Sequence, residues 1–149
     1  MPTIKSTRFG EIRIDEKEII DFDKGLPGFE QETQFFIIQE EKDYSFAYLQ
    51  SLKTPELAFI IMNPFEIFQD YEFDLDEQNK EELKIEDVSE VAVFVILSIP
   101  EDFAKTTINL KAPLIMNIKK KKGKQIILHD SDHLTKTPLF SEHVKKGGE

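Results

Sequence analysis

The chain contains no cysteine and no tryptophan. Without cysteine it forms neither disulfides nor thiolate zinc sites and has no thiol nucleophile, which fits a reducing compartment. There is no Gly-rich phosphate loop and no G-x-S-x-G elbow. No run approaches the roughly 18 apolar residues that a membrane span requires. The opening MPTIKSTRFGEI lacks the apolar core of a secretory signal. A soluble cytoplasmic protein with no membrane association is the expectation. Positive charge is also short: 19 Lys and Arg stand against 29 Asp and Glu, a formal net of −10. Such a balance repels nucleic acid and attracts basic partners.

What is present suits one domain, since 149 residues can bury a core without staples. The thirteen phenylalanines are mostly core candidates. Short β-rich runs follow one another. Glu11, Arg13 and Asp15 alternate with Ile12 and Ile14, and Ile19, Ile20 and Phe22 form a second strand. Next come Phe35–Ile38, Phe46–Gln50 and Leu57–Met62. The stretch Asp23–Gly28 reads as a turn, Phe29–Thr33 as a helical turn, and Glu40–Asp43 as a loop. Val91–Ile99 is an unbroken apolar, β-branched strand that predicts burial on both faces. Pro100 to Phe103 resembles a helix start with proline at its first position.

From Thr106 to Leu128 an apolar run, Ile108–Ile118, meets a Lys-rich link and then Gln125–Leu128, the pattern of a β-hairpin. Gly123 is expected to supply a positive φ at the turn, and the neighbouring lysines to keep the tip in water. Pro113 cannot donate to a ladder and must sit at a bulge or an edge. The spacing of all these runs predicts an all-β fold: an antiparallel, barrel-like single domain over 1–149, with one or two short helices. Residues 131–149 are expected to be a polar, partly mobile tail, frayed from Lys145 to Glu149.

The charge is not spread evenly. Residues 66–90 hold eleven acids and two lysines, a local net of −9. Glu77–Lys84 has helical composition, with Asp74 or Asp76 available as N-cap. Phe65, Phe68, Tyr71 and Phe73 are interleaved with the acids, a pattern that suits an interface and a core equally well. The segment reads either as a solvated face or as a docking surface for a basic partner. His129, Asp130, Asp132 and His133 have a metal-like composition, but Asp-Ser-Asp favours a turn over the helix that i,i+4 histidines need. Lys119–Lys122 and Lys124 could meet phosphate but lack spaced aromatics, so an exposed tip is preferred. No pair of carboxylates is singled out for acid–base work. No catalytic, cofactor or metal residues are assigned, and an enzyme is not expected. The alternative from that class is a small carboxylate-dependent hydrolase.

Five ordered blocks carry a resemblance. They are Thr7–Ile12, Phe22–Glu30, Leu49–Leu52 with Leu57–Phe59, Asn109–Asn117, and Gly123–Leu128. Together they resemble the bacterial flagellar assembly factor FliW family over most of the chain. The resemblance implies a small β-barrel-like cytoplasmic protein that is not an enzyme and binds no cofactor. It implies binding of flagellin, and binding and antagonism of CsrA, the RNA-binding translational regulator. Flagellin that accumulates occupies such a protein and frees CsrA to repress flagellin translation. A plain flagellin chaperone is the alternative. On this reading Asp70, Glu72, Asp74, Asp76 and Glu77 repel RNA from CsrA, and a groove near Leu26, Phe29 and Tyr71 takes a helical flagellin segment. No direct nucleic-acid contact and a monomer are expected.

Overall fold

The computed structural model describes residues 3–7, 9–39, 46–128 and 133–139. Eleven strands are described: β1 (Thr3–Ser6), β2 (Gly10–Arg13), β3 (Ile20–Asp21), β4 (Gln34–Gln39), β5 (Phe46–Ser51), β6 (Ala58–Met62), β7 (Val91–Ser98), β8 (Thr107–Ile108), β9 (Leu114–Asn117), β10 (Lys122–Gln125) and β11 (Thr137–Pro138). One α-helix, α1 (Glu77–Glu82), and short 3₁₀ turns connect them. The order β7-β6-β5-β4-β3-β10-β9, with β9 pairing back onto β7, closes a seven-stranded barrel. All of its pairings are antiparallel except β10 with β3, which meet in parallel at Lys122 and Asp21. Closure leaves no long unpaired edge in the barrel.

Alternation along the strands builds separate cores. Phe35, Ala47, Leu49, Ile61, Leu114 and Met116 come from different strands and meet in one cluster with Ile20, Phe22 and Leu26. Residues from opposite walls can touch only inside a barrel, so this cluster is its interior. The other parity faces outward. Met62, Val95, Leu97 and Ile115 pack under a second layer that includes Tyr71, Leu83, Ile108, Leu110 and Leu139. The β1–β2 hairpin covers Phe36 with Ile4 and Ile14. Gln50, fully buried, ties that hairpin down: its Oε1 accepts from Ser6 Oγ at 2.8 Å.

Several expectations are corrected. β7 is central in the sheet, but its side chains are not buried throughout: Val95 and Leu97 are buried, whereas Val91 to Phe94 are half-buried. Its two faces serve different cores: Val95 and Leu97 are buried under the outer layer, whereas Phe94 and Ile96, on the inner face, are half-buried, and Ile96 lines an open cavity. The 108–118 run is not one strand. Residues 107–108 and 114–117 pair along β7 as β8 and β9, and the break between them holds Pro113. Asn109 Oδ1 accepts from Ala112 N–H at 3.0 Å across that break. Residues 29–33 form no helix: Phe29 exchanges backbone hydrogen bonds with Leu26 around Pro27-Gly28, and Glu32 N–H donates to Phe29 O at 3.0 Å, closing a single further turn. The 3₁₀ turn after Pro100 begins at Phe103 and is capped by Asp102, so the proline lies outside it. The polar tail begins later than expected: β11 pairs with β8, and Leu139 is buried. The Glu40–Asp43 loop, residues 129–132 and the Lys145–Glu149 end lie outside the described residues.

Gly123 is not at the turn. It lies in β10, and the positive φ falls on Lys121 at 56°. The glycine is there for space: a Cβ at 123 would sit 2.5 Å from the ring of fully buried Phe22. At Gly10, by contrast, φ is +76° but a Cβ would meet nothing within 4 Å. Gly10→Ala is expected to cost about 1–2 kcal/mol of backbone strain. Gly123→Ala is expected to cost about 1–3 kcal/mol by overpacking a ring that cannot retreat. Urea unfolding of the two variants checks the cause: trimming Phe22 to Leu in the same chain should recover part of the Gly123→Ala loss and none of the Gly10→Ala loss.

Candidate functional site

The acidic segment leaves β6 through Asn63, whose side chain caps the Pro64–Glu66 turn. It then runs from residue 71 to 76 without joining a helix or a sheet. Its sequence alternates acid and apolar residues, and so does its exposure. Tyr71 is buried and Phe73 and Leu75 are half-buried against the barrel's outer face. Asp70, Glu72, Asp74 and Asp76 are exposed. Tyr71 anchors this strap: its hydroxyl donates to the Leu110 carbonyl at 2.6 Å, and burial pushes the phenol above its ordinary value. The aromatics among the acids are therefore mainly core. Their period-two spacing, Tyr71, Phe73, Leu75, was the signal for it.

Asp76 then caps α1, its Oδ1 accepting from Asn79 N–H at 2.8 Å. The helix ends at Lys84, which takes φ 54°. Ile85 N–H donates to Lys80 O and Lys84 N–H to Glu81 O, the paired closure that usually calls for glycine. Asn117 holds this strained end in place. Fully buried, its Nδ2 donates to Leu83 O at 2.9 Å and Lys84 O at 3.1 Å. Its Oδ1 accepts from Lys119 and Lys120 N–H, both at 3.1 Å. One amide thus joins the helix end to the β9–β10 turn.

The lysines of that turn do not simply face water. Lys120 pairs with Glu86 at 3.1 Å, Lys122 with Asp23 at 3.3 Å, and Lys119 lies 3.9 Å from Glu90. Lys124 pairs with Glu82, which also holds Lys24 at 2.9 Å. Hydrogen bonds from Lys124 and Lys24 lower the Glu82 carboxyl to about 2. Glu90 is buried and caps its own turn: Glu86 and Asp87 N–H donate to it at 2.9 and 3.0 Å and hold it below the usual carboxylate range.

The segment is therefore divided electrostatically. In its second half Glu82, Glu86 and Glu90 are paired with lysines, whereas Asp87 is not. In its first half, Glu77 pairs with Lys80 at 3.4 Å, and among the described residues no ion pair reaches Asp70, Glu72, Asp74 or Asp76. The residues singled out from sequence lie together on this strap and first helical turn. Sequence reasoning missed Asn117 and the Lys–Glu clasp, although a Lys run after an acidic run was a visible cue.

The other singled-out residues lie elsewhere. Leu26 is buried and lines a cavity of about 450 Å³ with Phe59, Ile96, Ala112 and Ile127. Phe59 and Ile96 face the interior, so this is a mouth of the barrel. Phe29 is 40% exposed and packs edge-on against Phe59 at 5.4 Å. Tyr71 lines a different depression of about 400 Å³ with Phe68, Leu110 and His133. The Leu26–Phe29–Tyr71 groove is thus two sites. Residues 109–112 run between them, contributing Asn109, Lys111 and Ala112 to one and Leu110 to the other. Of the metal-like residues only His133 is described, and it packs edge-on against Tyr71 at 4.7 Å.

The family described as FliW protein matches residues 3–139. The chain belongs to the FliW family. The flagellar assembly factor FliW of Bacillus velezensis is 52% identical over 89% of this chain and 93% of its own length. That of Bacillus subtilis is 46% identical over 89% of this chain and 93% of its own length. A crystal structure of the flagellar assembly factor FliW superposes with a TM-score of 0.89 at 42% identity, covering 95% of this chain and 99% of that one. The FliW barrel is thus common to both.

The Glu82 clasp has a pH signature. A carboxyl depressed to about 2 contributes stability that is fully present above its unfolded value of about 4.3 and is lost as pH falls through about 2. Glu82→Gln is therefore expected to flatten the stability profile between pH 4.3 and 2, with little change in slope above. Urea unfolding at stepped pH checks it; an unchanged acid limb contradicts it.

Proposed function

We propose that this chain is a cytoplasmic flagellar assembly factor that binds flagellin and, in a competing complex, binds and antagonises the translational regulator CsrA. It acts by binding and not by catalysis, and without contacting RNA itself. The observation that carries the reading is the strap: four exposed carboxylates, free of ion pairs among the described residues, are held on a rigid barrel by the aromatic and aliphatic residues between them. A protein that binds RNA presents positive charge to phosphate. Docking this strap beside that surface brings negative potential to it and expels the RNA backbone without covering the RNA site. Family membership supports the flagellar role, since the relatives bear the name flagellar assembly factor.

For flagellin, the barrel mouth beside Leu26 and Phe29 is the apolar surface we assign, able to take one face of an amphipathic helix. Tyr71 lines the separate depression and is left to the other flank.

The test is RNA release from CsrA by a variant with Asp70→Asn, Glu72→Gln, Asp74→Asn, Asp76→Asn and Glu77→Gln. Asn caps as well as Asp, so α1 survives the change at 76. Antagonism is expected to fall at least about tenfold at low salt, a loss of about 1.4 kcal/mol, while flagellin binding persists. Antagonism unchanged at low and high salt alike refutes the reading. Flagellin binding with no CsrA complex at all would leave a chaperone.

A further inference from the structure

Between the strap and the turn at Val88 lies an apolar groove of about 380 Å³, within the roughly 300–1,000 Å³ of ordinary binding clefts. Ile115 forms its floor, Phe73 and Leu75 one wall, and Ile85, Val88 and Val91 the other. Phe73, Leu75, Ile85 and Val91 are only half-buried, and Val88 is 82% exposed. An aliphatic side chain left that far in water, beside other incompletely covered apolar residues, marks a surface that a partner covers. The rim is charged with one sign in excess. Of the charged residues, Lys80, Glu86 and Asp87 line it, and Asp74 and Asp76 flank Leu75 along the strap. Lys80 pairs with Glu77 and Glu86 with Lys120, which leaves Asp74, Asp76 and Asp87 without an ion pair among the described residues.

We infer that this groove receives a short segment of a partner protein whose apolar side chains are flanked by Lys or Arg. The apolar side chains would complete the outer core over Phe73, Leu75 and Val88, and the flanking cations would meet Asp74 and Asp87. Charge complementarity selects this occupant: an acidic segment would meet like charge, and a second copy of this chain would bring its own acidic strap to the same rim. The inference rests on the strap being a protein-facing surface. It adds which chemistry is recognised and where the apolar anchor sits.

The experiment uses neither flagellin nor CsrA, so its failure is distinguishable from failure of the regulator reading. Short random peptides displayed on phage are selected against the full chain and counter-selected against Val88→Ser. Val88 is exposed, so the substitution leaves the fold intact. Enriched peptides are expected to carry apolar residues beside Lys or Arg and to lose about tenfold in affinity on Val88→Ser. They are also expected to weaken at low salt on Asp74→Asn with Asp87→Asn, and to shift the amide resonances of residues 85–88. No enrichment, acidic or uncharged consensus peptides, or equal affinity for Val88→Ser overturns the proposal.

Discussion

The amide of Asn117 holds two oppositely charged parts of the chain to each other. It is buried, and both sides of its amide are engaged, two carbonyls on one and two N–H groups on the other. Losing it would leave buried donors and acceptors unmatched, at about 1–3 kcal/mol each. Through it, the end of α1 cannot leave the β9–β10 turn, and the lysines of that turn are delivered to Glu86 and Glu90. The ion pairs follow from this arrangement more than they cause it. Surface pairs of this kind contribute about 0–1 kcal/mol each, whereas burying an aromatic such as Tyr71 contributes about 1.5–3 kcal/mol. Packing and one amide therefore set the geometry, and electrostatics is what the geometry then presents.

That division explains how a chain of net −10 shows its charge unevenly. The barrel's outer face accepts Tyr71, Phe73 and Leu75 from the strap, so the acids between them point to solvent. Further along, the same kind of acids are spent within the molecule on Lys24, Lys119, Lys120 and Lys124. The exposed acids of the strap, with the groove beside them, are what remains on that flank. The barrel mouth near Leu26 and Phe29 is apolar and separate. Residues 109–112 divide that mouth from the Tyr71 depression.

Much of the barrel was legible in the sequence because its strands are short, β-rich and punctuated by turn residues. Asp76 as cap and Pro113 at a break were also readable, since each follows from what a single residue can donate or accept. The misreadings arise where a long-range partner decides the role. Gly123 looks like a turn glycine until Phe22, about a hundred residues earlier in the chain, is seen to occupy its Cβ space. The Lys run looks like a solvated tip until the helix end is brought to it by Asn117. Val91–Ser98 looks doubly buried because both faces are apolar, yet Val91 and Val93 on the outer face and Phe94 and Ile96 on the inner one stay half-buried. The site followed the same rule: the acids were found from composition, and the groove was not, because its walls come from residues 73–75, 85–91 and 115.

Hydrogen exchange on this chain, free and saturated with CsrA, tests the central claim most directly. Residues 72–76 lie in no helix or strand, so their amides exchange fast in the free protein, unlike that of Tyr71, which donates to Phe68 O at 2.9 Å. The account requires them, with residues 85–88, to slow sharply in the complex while the barrel strands are unchanged. Protection confined to the barrel mouth around Leu26 and Phe29, with the strap exchanging as before, contradicts it.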